Sequence, residues 1–108
     1  MKMRMNISEK LLSGIQAIAR RYPVKKIVLF GSRARGDHKK NSDIDLAVFP
    51  EPEFQRGARF ASEVDDLETL LKIDLVVIDG QTGPELLERI NKEGVILYER
   101  SDRETDKF

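Results

Sequence analysis

The chain has 108 residues, 35% charged and 40% hydrophobic, with no cysteine and a formal net charge of zero. That length holds one small domain, residues 1–108, with a real core and no room for a second recognition domain; the lack of cysteine excludes disulfides and zinc-thiolate sites and points to a reducing, cytoplasmic setting. Residues 1–40 carry 11 Lys/Arg against Glu9 and Asp37, whereas residues 41–108 carry 8 against 17 Asp/Glu; +9 beside −9 argues against extended nucleic-acid binding and suits a polyphosphate ligand with metal ions.

Asn6 or Ser8 can cap a helix running to about Tyr22, with Leu11, Leu12, Ile15, Ile18 and Ala19 at helical spacing and Pro23 closing it. No stretch here or later is apolar enough to cross a bilayer, and the N-terminus lacks the apolar segment of a signal peptide. Lys26–Phe30 is a short apolar run, expected as a strand buried on both faces. Ser32 to Gly36 can form one turn of helix, followed by a polar loop to Asn41. From Asp43 to Phe49 the residues alternate: Asp43, Asp45 and Ala47 on one face, Ile44, Leu46 and Val48 on the other. Pro50 and Pro52 stop that strand.

Residues 54–71 read as a helix whose apolar stripe is Phe60, Val64, Leu67 and Leu71. Ile73–Ile78 is a strand with Asp74, Val76 and Ile78 on one face. Pro84 suits the first position of a further helix, with Leu86, Leu87 and Ile90 inward and Gly94 as its C-cap. Val95–Tyr98 is a short last strand, and residues 99–108 form a charged tail expected to fray. This order predicts an α/β (α+β) domain with a small mixed sheet flanked by helices.

The stretch Gly31-Ser-Arg-Ala-Arg-Gly36 has the glycine spacing of a nucleoside-triphosphatase loop. The Lys and Ser/Thr that should follow are Asp37 and His38, so that class is excluded. A Gly-Ser turn after a buried strand still presents amides and a hydroxyl to phosphate oxygens. On its own it reads as a plain strand-to-helix turn. The carboxylates add what the turn lacks. Asp43 and Asp45, at i and i+2 of a strand, leave one face with Cα atoms about 6.7 Å apart, a spacing that can serve divalent cations in two-metal phosphoryl transfer. Asp74, at the start of an apolar strand, is poorly placed without a partner. Three carboxylates converge if its strand neighbours that of Asp45.

"GSRARGDHKKNSDIDLAVF" (31–49) resembles the signature of the nucleotidyltransferase superfamily that includes DNA polymerase beta, with Gly31-Ser32, then Asp43 and Asp45, then Asp74 in "KIDLVVID". Ala34-Arg35-Gly36 and Ser42 resemble its minimal nucleotidyltransferase (MNT) branch. The resemblance implies that Gly31, Ser32, Arg35 and Ser42 hold a nucleoside triphosphate, expected to be ATP. It implies that Asp43, Asp45 and Asp74 bind two Mg²⁺ ions, Asp74 also helping to deprotonate the acceptor hydroxyl. Arg33 is either a phosphate ligand or a structural arginine, and His38 a loop residue without a role. MNT proteins are commonly paired with helical HEPN toxins, onto which some transfer AMP, so the resemblance implies such a partner and an antitoxin role. The alternatives are a catalytically silent binding module, and transfer to a small molecule or RNA. Exposed sheet edges also allow self-association.

Overall fold

The structure is a computed structural model and describes residues 7–37, 39, 42–54, 57–67 and 71–100. The elements are α1 (Glu9–Arg20), β1 (Val24–Phe30), α2 (Ser32–Arg35), β2 (Ile44–Pro50), α3 (Gly57–Asp65), β3 (Ile73–Val77), α4 (Pro84–Glu93) and β4 (Val95–Glu99). They build one mixed sheet in the order β3-β2-β1-β4. β1 runs antiparallel to both β2 and β4, and β2 runs parallel to β3. This is the α/β architecture the sequence predicts.

Strand alternation divides the apolar residues between two clusters. Ile27 and Leu29 of β1 join Ile44, Leu46 and Val48 of β2 and pack with Ile15 and Ile18 of α1 and Phe60 and Val64 of α3. Val28, Phe30 and Ala47 point the other way and pack with Ile90 of α4 and with Ile78. β1 is thus covered on both sides, which is why four successive residues, Ile27 to Phe30, are apolar and buried.

Ser8 caps α1, its hydroxyl accepting from the Leu11 amide at 3.1 Å; Asn6, the other predicted cap, lies outside the described residues. The helix ends at Arg20, two residues short of the expected Tyr22, which is nevertheless buried against Phe60. β1 starts earlier than predicted, at Val24, because Val24 pairs with Pro50 at the end of β2. α3 is shorter than the predicted 54–71. It winds down through Asp66 and Leu67, whose amides bond back to Ser62, Glu63 and Val64. Leu67 and Leu71 still pack on the core from beyond the helix end.

The predicted tail from 99 is also corrected. Glu99 pairs with Lys26 in β4, and the Arg100 guanidinium donates to the Tyr22 carbonyl at 2.9 Å; residues 101–108 lie outside the description. No helix among the described residues is long and apolar enough to cross a membrane.

Candidate active site

β1 leaves the sheet through Gly31, whose φ of +81° lies in the left-handed region that favours glycine. A Cβ there would also run into the Asp45 carboxylate. Glycine is needed twice over, for the dihedral and for the close approach. The same approach brings the turn against the acidic pair. The turn then closes as α2, with the Ala34 and Arg35 amides both donating to the Gly31 carbonyl at 3.0 Å. The Ser32 hydroxyl makes no hydrogen bond among the described residues.

The two arginines of the turn have different surroundings. Arg33 is buried at 6% exposure, its Nε donating to the Ser42 carbonyl at 3.1 Å and its Nη2 to the Lys39 carbonyl at 3.3 Å. It is a structural arginine that ties the following loop to α2. Ser42 serves the same loop: its hydroxyl accepts from the Lys39 amide at 2.8 Å, and its own amide donates to the Lys39 carbonyl at 3.0 Å. That closure delivers Asp43 next to the start of β2. Arg35 is exposed beside the turn, held by Asp37 at 3.1 Å and Glu93 at 3.2 Å. These carboxylates raise its already high pKa, Asp37 most. His38 lies outside the described residues.

Asp45 faces the α4 side of the sheet, with Phe30 opposite it on β1 and Asp74 opposite it on β3. The condition set by the sequence is met: the strand of Asp74 neighbours that of Asp45, in register. Asp45 is half-buried, and its carboxyl is pushed up from the ordinary range, first by burial and then by the charges of Asp74 and Asp43; Arg89 and Arg35 partly offset them. Asp43 is exposed, one residue before β2 begins. Asp74 is also exposed and stands 3.9 Å from the Lys72 ammonium. Among the described residues, no three acidic or histidine side chains are gathered to hold one ion. The backbone brings the three aspartates to one end of β2 and β3.

Two further residues enter from α4. The Glu93 carboxylate, 16% exposed, accepts from the Gly31 amide at 2.9 Å and pairs with Arg35 and, at 3.6 Å, with Arg89. Burial pushes its carboxyl up, but the Gly31 amide, Arg35 and Arg89 outweigh that and hold it below the ordinary range. Arg89 lies 5.9 Å from the centroid of the Phe30 ring. Sequence analysis singled out neither residue.

Residues 13–103 match the family model described as polymerase beta, nucleotidyltransferase. The chain belongs to this family and is a nucleotidyltransferase. A Methanocaldococcus jannaschii protein provisionally named a protein adenylyltransferase is 32% identical over 96 residues, covering 86% of this chain and 96% of its own. A second M. jannaschii protein of that provisional name is 38% identical over 80 residues, covering 70% and 90%. Among solved structures, a toxin–antitoxin with AMP-PNP superposes with a TM-score of 0.62 at 23% identity, covering 88% of this chain and 77% of that one. A tri-AMPylated Shewanella oneidensis HEPN toxin in complex with its MNT antitoxin gives 0.56 at 22%, covering 90% and 75%. Likeness at those identities establishes the shared nucleotidyltransferase fold.

Proposed function

We propose that this nucleotidyltransferase transfers AMP from ATP to a hydroxyl of a helical HEPN-type toxin, and that the transfer makes it the antitoxin of the pair. One observation carries the reading: the Gly31–Ser32 turn lies against Asp45, which is in strand register with Asp74. Phosphate-binding and acidic groups thus adjoin. The names of the M. jannaschii relatives and of the AMPylated toxin complex support the choice of AMP and of a protein acceptor.

In this reading the Ser32 hydroxyl donates to a phosphate oxygen, and Arg35 turns from its carboxylate partners to neutralise phosphate charge. Ser42 holds the loop that places Asp43. Asp43, Asp45 and Asp74 would hold Mg²⁺. Their donor chemistry fits, because hard carboxylate oxygens suit that ion and because half-buried Asp45 stands beside the charges of Asp74 and Asp43, which Arg89 and Arg35 only partly offset. Bound there, the ion would draw the carboxylates together and neutralise charge on the phosphates. The acceptor oxygen forms a bond to the α-phosphorus, the bond from that phosphorus to the bridging oxygen breaks, and pyrophosphate leaves. The acceptor proton passes to Asp74. The use of ATP fits a cytoplasmic setting.

A second reading is silencing of the partner by contact alone. Incubation with α-labelled ATP, Mg²⁺ and the HEPN partner separates the two. Transfer predicts label on the partner that is lost in Asp43→Asn/Asp45→Asn. No label, or label that survives the double substitution, overturns it.

A further inference from the structure

Leu29 pairs with Val95, and Val28 with Ile96, across β1 and β4. Two residues beyond Leu29 is Gly31, and two residues before Val95 is Glu93. The antiparallel register therefore runs on to this pair, but the backbone at Glu93 already belongs to α4. No strand carbonyl is there to receive the Gly31 amide, and the Glu93 side chain supplies the acceptor instead, at 2.9 Å. Gly31 is itself buried, so losing that acceptor would leave a donor without water or protein.

The position of Glu93 is fixed independently. Gly94, which caps α4 with its amide on the Ile90 carbonyl at 2.9 Å, has φ −70° and ψ 147°, not the left-handed conformation usual for a capping glycine. Its glycine identity has a different cause: a Cβ would collide with the Ile90 carbonyl and with Val28 of β1. That contact presses the end of α4 onto β1 and leaves Glu93 little freedom.

We propose that Glu93 is the positioning residue of the nucleotide turn. It clamps Gly31 in the left-handed conformation that brings the turn against Asp45, and it holds Arg35 beside the turn until a phosphate claims the guanidinium. The inference rests on the nucleotide-binding reading above. It assigns to a helix residue, through its bond to Gly31 and its pairing with Arg35, control of the triphosphate site.

Two substitutions separate the hydrogen bond from the charge. Glu93→Gln and Glu93→Ala both remove a negative charge near the phosphates, but only Gln retains an acceptor for Gly31. Mg-ATP affinity, measured by titration with each folded variant, should be at least about tenfold tighter for Gln than for Ala. The Gly31 amide should exchange slowly with solvent in the wild type and in Glu93→Gln, and rapidly in Glu93→Ala. Equal ATP affinity in the two variants, or an unprotected Gly31 amide in the wild type, overturns the proposal. Wild-type protein that binds no Mg-ATP would overturn the nucleotide reading itself, while Gly31 exchange still reports whether the clamp exists.

Discussion

On one face of the sheet, under α1 and α3, the side chains of Ile15, Ile27, Ile44, Leu46, Val48 and Phe60 are all fully buried. On the other face, under α4, β2 changes character within a few residues: Ala47 is fully buried, Asp45 half-buried and, just before the strand, Asp43 exposed. The first face is apolar along its length and supplies stability, each large side chain contributing about 1.5–3 kcal/mol when buried. The second is apolar at its centre and acidic at one end, so it carries an electrostatic cost that the first face offsets. A family whose chemistry needs adjacent carboxylates can place them only where apolar packing has stopped.

Substitutions that act on one face alone break the comparison most sharply. Asp45→Asn should lower nucleotidyl transfer about 10³- to 10⁵-fold, about 4–7 kcal/mol of barrier. It should also raise Tm at neutral pH by about 3 °C, because it removes a charge penalised first by burial and then by Asp74 and Asp43. Because the folded protein raises this carboxyl, the ionised form is penalised at neutral pH. The gain in Tm should therefore vanish as pH falls below the ordinary carboxylate range, where wild-type Asp45 is protonated folded or unfolded. Transfer assays and calorimetry across pH test both halves.

Phe60→Ala should do the opposite. It removes a fully buried ring that meets Tyr22 and Phe54 edge-on at centroid distances of 5.3 and 5.8 Å. Denaturant melts should show a loss of about 3–5 kcal/mol, with Mg-ATP affinity of the folded fraction unchanged. Gly31→Ala falls between the faces. The left-handed φ and the collision with Asp45 should cost about 1–2 kcal/mol of stability and most of the transfer activity.

The smallest effect belongs to the covered face. Glu63 receives hydrogen bonds from Arg21, at 2.6 Å, and from the Tyr22 hydroxyl. The Arg21 and Tyr22 bonds, in that order, hold its carboxyl below the ordinary range against a weaker effect of burial. A depressed carboxylate stabilises above its unfolded pKa and loses that contribution as pH falls through the folded value. Glu63→Gln should lower Tm slightly at neutral pH, and the difference from wild type should close in acid.

Much of the site was legible because it depends on local spacing. The i, i+2 placement of Asp43 and Asp45 and the glycine ahead of them are short-range features. What pairs with Asp45 is not local: the Asp45–Asp74 register needs the parallel pairing of β2 and β3, which the sequence allowed but did not impose. Arg33 and Arg35 are two residues apart and chemically identical, and only the Lys39 and Ser42 carbonyls, which receive Arg33, set the buried arginine apart from the exposed one. Glu93 sits among other charges at the end of α4, and its role arises from the β1–β4 register. The 54–71 helix was overextended because Leu67 and Leu71 keep helical spacing while packing from beyond the last turn.

The central claim is that the Gly31 turn and the aspartates form one nucleotide site on the α4 side of the sheet. Titration of isotopically labelled protein with Mg-ATP, followed by amide chemical shifts, tests it directly. The account predicts perturbations at about 1 mM ligand or below, centred on Gly31, Ser32, Asp45 and Asp74 and absent from Phe60 and Val64. Shifts centred on the α1–α3 face, or none at that concentration, would contradict it.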